Sequence, residues 1–127
     1  AKRKGFHGVT RHFMPRLLSE AALQDESIIA DVLSMAADIG RIGFVRQQAA
    51  IMGRRAQHDT LASFTAPVLV LCGNLDVLTP PNLTIEMASL APQAELCLLN
   101  GIGHLSSIEA PKAVTNALES LFERAAD

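Results

Sequence analysis

Two residues in this chain have the types and the surroundings that acid–base chemistry needs: Asp76 and His104. Asp76 stands three residues after Gly73, which ends the apolar run Pro67-Val68-Leu69-Val70-Leu71-Cys72. His104 follows Asn100-Gly101-Ile102-Gly103, which in turn ends a second apolar run, Ala94-Glu95-Leu96-Cys97-Leu98-Leu99. An imidazole changes its charge near neutral pH, so it can take a proton from a hydroxyl and give it back. A carboxylate behind it fixes the tautomer and stabilises the imidazolium that forms. The glycines on either side of Ile102 let the backbone turn sharply and present His104.

These two residues can meet only if the elements before them run side by side. Each apolar run reads as a short buried strand, and Pro67 is tolerated at a strand start. Between the strands, Pro81 suits the first turn of a helix, and Leu83, Met87, Leu90 and Ala91 give that helix an apolar stripe. Strand, crossover helix and strand make a βαβ unit with parallel strands. Neighbouring strands lie ~5 Å apart, and both carboxyl ends reach the rim where open α/β sheets hold ligands. Beyond His104, Ser106 and Ser107 read as loop. Pro111 opens a last helix whose face of Ala113, Val114, Ala117, Leu118, Leu121 and Phe122 should pack on the sheet. Glu109 falls near that helix's N-terminus, where negative charge is favoured.

Before Pro67 the pattern is helical. Pro15 predicts a short or broken helix around it. Asp25 is a candidate N-cap for a helix carrying Ile28, Ile29, Val32, Leu33, Ala36 and Ile39, with Gly40 as its stop. A third helix, from about Ile42 to Met52, carries Phe44, Val45, Ala49 and Met52. Gly53 and the pair Arg54-Arg55 close it, the cations suiting the negative end of the helix dipole. His58–Phe64 reads as a helical turn or linker. Lys2–Arg16 is basic, which fits either an anion-binding arm or, more simply, a solvated surface segment.

Length fits one domain, and a net charge of −2 argues against a nucleic-acid surface. No apolar run approaches the ~20 residues of a membrane span, and none follows the basic start as a secretory leader requires. Cys72 and Cys97 lack metal or redox spacing and read as small buried hydrophobes. A bridge between them stays open, but nothing else points to an oxidising compartment, so a cytoplasmic location is expected. His7, His12 and His58 have no companions at metal-ligand spacing, and no metal site is expected. The chain lacks an initiator Met and offers only two parallel strands, fewer than a stable sheet uses. It therefore reads as the carboxyl-terminal part of a longer protein, with a processed small protein as the alternative.

The motifs P-V-L-V-L-C-G-x-x-D-x-x-T-P-P and G-x-G-H-L-x-x-x-E-x-P, followed by an amphipathic helix, resemble the carboxyl-terminal end of the α/β-hydrolases. The resemblance implies an α/β fold: a C-terminal βαβα portion of a parallel sheet (65–127) preceded by a helical cap layer (1–64). It also implies that Asp76 is the triad acid and His104 the general base of ester- or lactone-type acyl hydrolysis, with no cofactor. Leu78 and Leu105, beside them, would line a pocket for a small apolar ester-like substrate. None of the eight serines sits in the G-x-S-x-G elbow that carries the family's nucleophile. The isolated chain is thus expected to be inactive. The alternative is a non-enzymatic ligand-binding module, or one that self-associates through an open sheet edge.

Overall fold

The computed structural model describes residues 8–126. The first helical segment is a 3₁₀ turn, Arg11–Phe13, that runs into α1, Met14–Leu17. Pro15 does not break this helix. It occupies the first turn, where its missing N–H has no intrahelical partner to lose. A second 3₁₀ turn, Ala22–Gln24, leads to α2, Glu26–Met52. Asp25 caps α2 as its position predicts: its Oδ1 accepts from Ser27 N at 2.9 Å and Ile28 N at 3.4 Å. Gly40 interrupts α2 with a φ of 62°. That left-handed conformation favours glycine, so the element is two helices meeting at a kink rather than one rod.

The helical core lies at the amino-terminal side of this kink. Met14, at 1% exposure, packs with Leu18, Ala22, Ile29 and Val32. Leu105 and Ile108 pack against the same cluster. Beyond Gly40 much of the expected stripe is exposed. Ile42 is 70% exposed and Met52 82%, and Val45 is exposed as well.

A short helix α3, His58–Ala62, precedes β1, Val68–Gly73. Helix α4, Pro81–Leu90, crosses to β2, Ala94–Leu99. The two strands pair in parallel with Val68 opposite Ala94 and Gly73 opposite Leu99. After β2 come a one-turn helix α5, Ser106–Glu109, and the long α6, Pro111–Ala126. Ser106 and Ser107 therefore open a helix rather than a loop. Helix α4 lies against both strands and α6 against β1. On α4 the most buried residue is Thr84, while Leu83 and Met87 are exposed, so the stripe predicted for this helix is only half covered. On α6, Leu118 and Phe122 are exposed too. Arg124 reaches back from α6, donating to the Val68 carbonyl at 3.4 Å and pairing with Glu95 at 3.1 Å. Cys72 and Cys97 are free thiols; Cys72 is buried, Cys97 half-buried. Among the described residues, β1 has a strand on one side only. No helix there is long and apolar enough to cross a membrane. His7 and the first basic residues of the Lys2–Arg16 stretch lie outside the described residues; Arg11 pairs with Glu26 at 2.6 Å.

The loops leaving the two strands approach each other closely at Gly73. A Cβ there would collide with the carbonyl oxygens of Ile102 and Gly103. Neither oxygen belongs to a flexible side chain, so the loops themselves would have to part. Gly73→Ala should lower stability by about 2 kcal/mol or more, seen as a lower urea midpoint at unchanged slope.

Candidate active site

Four hydrogen bonds, three of them using backbone groups, hold the two rim loops together. Asn74 N donates to Leu99 O at 2.9 Å, and Leu75 N to Ile102 O at 2.9 Å. Gly101 N donates to Asn74 Oδ1 at 2.7 Å, while Asn74 Nδ2 donates to Asn100 Oδ1 at 2.8 Å. Gly101 takes a φ of 75°, which the turn needs and which glycine accepts without strain. The loops thus reach the rim already fixed in relation to one another.

On that frame Asp76 and His104 come together. His104 Nδ1 lies 2.8 Å from Asp76 Oδ2. Asp76 is 6% exposed, and its carboxylate is fully engaged. Oδ1 accepts from Leu78 N at 2.8 Å and Thr79 N at 3.0 Å. Oδ2 accepts from the Thr79 hydroxyl at 2.8 Å as well as from the imidazole. An ionised carboxylate only accepts, so Nδ1 carries the proton and Nε2 is left as the basic nitrogen. Thr79 Oγ1 also lies 3.4 Å from His104 Nδ1, closing a three-residue cluster. Pro80 explains why Thr79 sits there: a residue before proline is kept out of the helical region, so α4 cannot begin until the turn from Asp76 is complete.

Burial by itself would push the Asp76 carboxyl up. The hydrogen bonds from Thr79 N–H, His104, the Thr79 hydroxyl and Leu78 N–H outweigh it and hold the pKa below the ordinary 3.8.

Leu78 and Leu105 flank the pair in sequence but face different surroundings. Leu78 is half-buried and gives its N–H to Asp76. Leu105 packs on the helical core around Met14, and its N–H donates to Leu17 O at 3.1 Å. An apolar cavity of about 500 Å³ lies elsewhere. It is lined by Leu61, Phe64, Val68, Met87 and Leu90 with Gln57, His58, Thr60 and Glu86. Val68 opens β1, so this cavity sits at the amino end of the strand, ~16 Å from the rim by strand rise. Among the described residues no three His, Cys, Asp or Glu side chains gather as a metal centre requires.

Two positions escaped the reading of the sequence. Thr79 was visible as the Thr of D-x-x-T but had no partner assigned to it. Glu109 does lie just before the N-terminus of α6, as its position predicts, but its Oε1 also accepts from Gly103 N and its Oε2 from Ser19 N, each at 3.1 Å. The fixed interval from Gly103 to Glu109 in the second motif was the available signal.

A parallel strand pair that delivers an acid and a histidine to one rim is an α/β-hydrolase arrangement. The chain belongs to this fold's TAP-like protein family, which matches residues 46–126. Lipase 3 of Moraxella sp. (strain TA144) is 32% identical over 56 residues, covering 44% of this chain and 18% of the lipase. A Mycobacterium tuberculosis protein named as a non-heme bromoperoxidase, BpoC, is 38% identical over 60 residues, covering 47% of this chain and 23% of BpoC. The solved structure of a thermophilic esterase from Thermogutta terrifontis superposes with a TM-score of 0.83 at 26% identity, covering 90% of this chain and 42% of the esterase. The chain thus spans less than half of the solved esterase and about a fifth of the curated relatives.

The depressed Asp76 pKa has a consequence for stability. A carboxyl held below its unfolded value adds stability that is complete above that value and disappears as pH falls through the folded one. Urea midpoints followed downward from neutrality should therefore drop as pH passes below the ordinary 3.8. Asp76→Asn should be less stable at neutral pH and lose part of that acid dependence. Parallel pH profiles for the two proteins would refute the assignment.

Proposed function

We propose that this chain carries the acid and the base of an acyl-transfer hydrolase acting on a small apolar ester or lactone. The nucleophilic serine is supplied from outside these 127 residues. The observation that carries the reading is the 2.8 Å contact between His104 Nδ1 and Asp76 Oδ2. It leaves Nε2 as the atom to take the serine proton when the hydroxyl attacks the acyl carbon. The imidazolium that forms is stabilised by Asp76 and then protonates the leaving oxygen. Water repeats the sequence on the acyl-enzyme. No cofactor enters this chemistry. Residues 1–64 serve as the cap over the site and 65–127 as the end of the catalytic sheet. The names of the Moraxella lipase and the Thermogutta esterase support ester chemistry as the class. Two free thiols fit a reducing compartment such as the cytoplasm.

The test is to read the coding frame upstream for a G-x-S-x-G segment and assay the longer protein on a chromogenic short-chain ester. Activity should be abolished by His104→Ala and reduced on the order of 10⁴-fold by Asp76→Asn, as in the protease triad. The 127-residue chain by itself should hydrolyse the ester no faster than its His104→Ala variant. Robust His104-dependent turnover by that chain would overturn the external serine.

A second reading is favoured by the apolar cavity beside Phe64 and Met87 and by the one-sided pairing of β1. On that reading the chain is a self-associating or ligand-binding module. Sedimentation of the purified chain should show concentration-dependent association. A sharp monomer at high concentration would remove the open edge as an interface.

A further inference from the structure

Glu109 uses both carboxylate oxygens on backbone N–H groups from distant parts of the chain. Gly103, which it holds through Oε1, directly precedes His104. Ser19, held through Oε2, lies just beyond α1 and is 5% exposed. We propose that Glu109 is a positioning residue for His104. It sets the separation between the His104 loop and the Leu18–Ser19 segment, and so the approach of the imidazole to Asp76. The proposal rests on the reading of His104 as the base.

Sterics leave this clamp little freedom. A Cβ on Gly103 would lie 2.7 Å from Ser19 N, 2.8 Å from Glu109 Oε1 and 2.9 Å from the Leu18 carbonyl carbon. The backbone of the loop therefore touches both the carboxylate and the segment that the carboxylate holds. A second strut follows His104: Leu105 N donates to Leu17 O at 3.1 Å. His104 is thus flanked on both sides by residues tied to Leu17–Ser19. Leu105 and Ile108 bury apolar surface against Met14, Leu18 and Ala22 from the same segment. Ile29 and Val32 belong to the same core, so the segment from Met14 to Leu33 travels with the histidine. Any part of the helical layer that opens over the site lies after the kink at Gly40.

Glutamate suits the task for a chemical reason. Two separate N–H groups need two acceptor oxygens on one side chain of this reach. Glutamine offers one acceptor and turns an NH₂ towards the other amide. Aspartate keeps both oxygens but is one methylene shorter. A group that merely stabilised the fold would leave the His104–Asp76 hydrogen bond unchanged once the variant had folded.

The experiment is NMR on the purified wild-type chain and its variants. In the wild type, couplings across hydrogen bonds should connect the Glu109 carboxyl carbon to both Gly103 N and Ser19 N. Their absence would overturn the clamp. The His104 Nδ1 proton should resonate far downfield and disappear in Asp76→Asn. In Glu109→Ala and Glu109→Asp it should move upfield or be lost to exchange, with dispersed amide spectra retained elsewhere. Glu109→Gln should fall between these and the wild type. If Glu109→Ala does not fold, Glu109→Gln decides. An Nδ1 proton unchanged in a folded Glu109 variant would overturn the positioning role. A wild-type Nδ1 proton indifferent to Asp76→Asn would instead strike the acid–base reading, and the two Glu109 couplings would still stand.

Discussion

The constraint on which the site depends is the contact between the two loops that leave the sheet. Gly73 has no side chain because the carbonyls of Ile102 and Gly103 occupy the space a Cβ would need. That closeness lets Leu75 N–H reach Ile102 O and Asn74 reach Gly101 and Asn100. Once these bonds form, Asp76 and His104 are brought to within a hydrogen bond of each other by backbone rather than by their own attraction. A pair held this way loses little entropy on aligning, and a site works best when its geometry is fixed before the reaction begins. Thr79 completes the arrangement by filling the remaining acceptor capacity of the Asp76 Oδ2.

Much of this was legible in the sequence because it is local. The strands, the crossover helix and the last helix are written in runs of apolar residues ended by Gly or opened by Pro, and β1, α4, β2 and α6 stand within a residue or so of where those signals put them. Asp25 announced its cap in the same way. The meeting of Asp76 and His104 was readable because parallel strands leave few alternatives. What stayed hidden was tertiary. Nothing near Glu109 in the sequence points to Ser19, ninety residues earlier. The Phe44–Met52 stripe has helical periodicity, but periodicity gives a face without naming what covers it; Val45 and Met52 are in fact exposed. Burial on α4 and α6 was overestimated for the same reason: Leu83, Met87, Leu118 and Phe122 obey the pattern and still face outward.

The helical layer is not uniform in its attachment. Its first part, around Met14, Leu18 and Ala22, shares a core with Leu105 and Ile108. Its last part, beyond the kink at Gly40, exposes the apolar side chains of Ile42, Val45, Ile51 and Met52. Packing therefore divides the helical layer near Gly40, well before residue 64. Met14 to Leu33 share one core with the loop that carries His104, whereas Ile42, Val45 and Met52 are exposed.

The interlocked loops also limit how such a chain can diversify. Gly73 to Asp76 meet Leu99 to His104 of the opposite loop through close approach or hydrogen bonds. An insertion in either would uncouple the other, so neither can lengthen without disturbing the contact between Asp76 and His104. Loops usually absorb variation at a surface. Here that freedom falls instead to the exposed helix after Gly40, where a change of side chain leaves the contact between the two loops untouched.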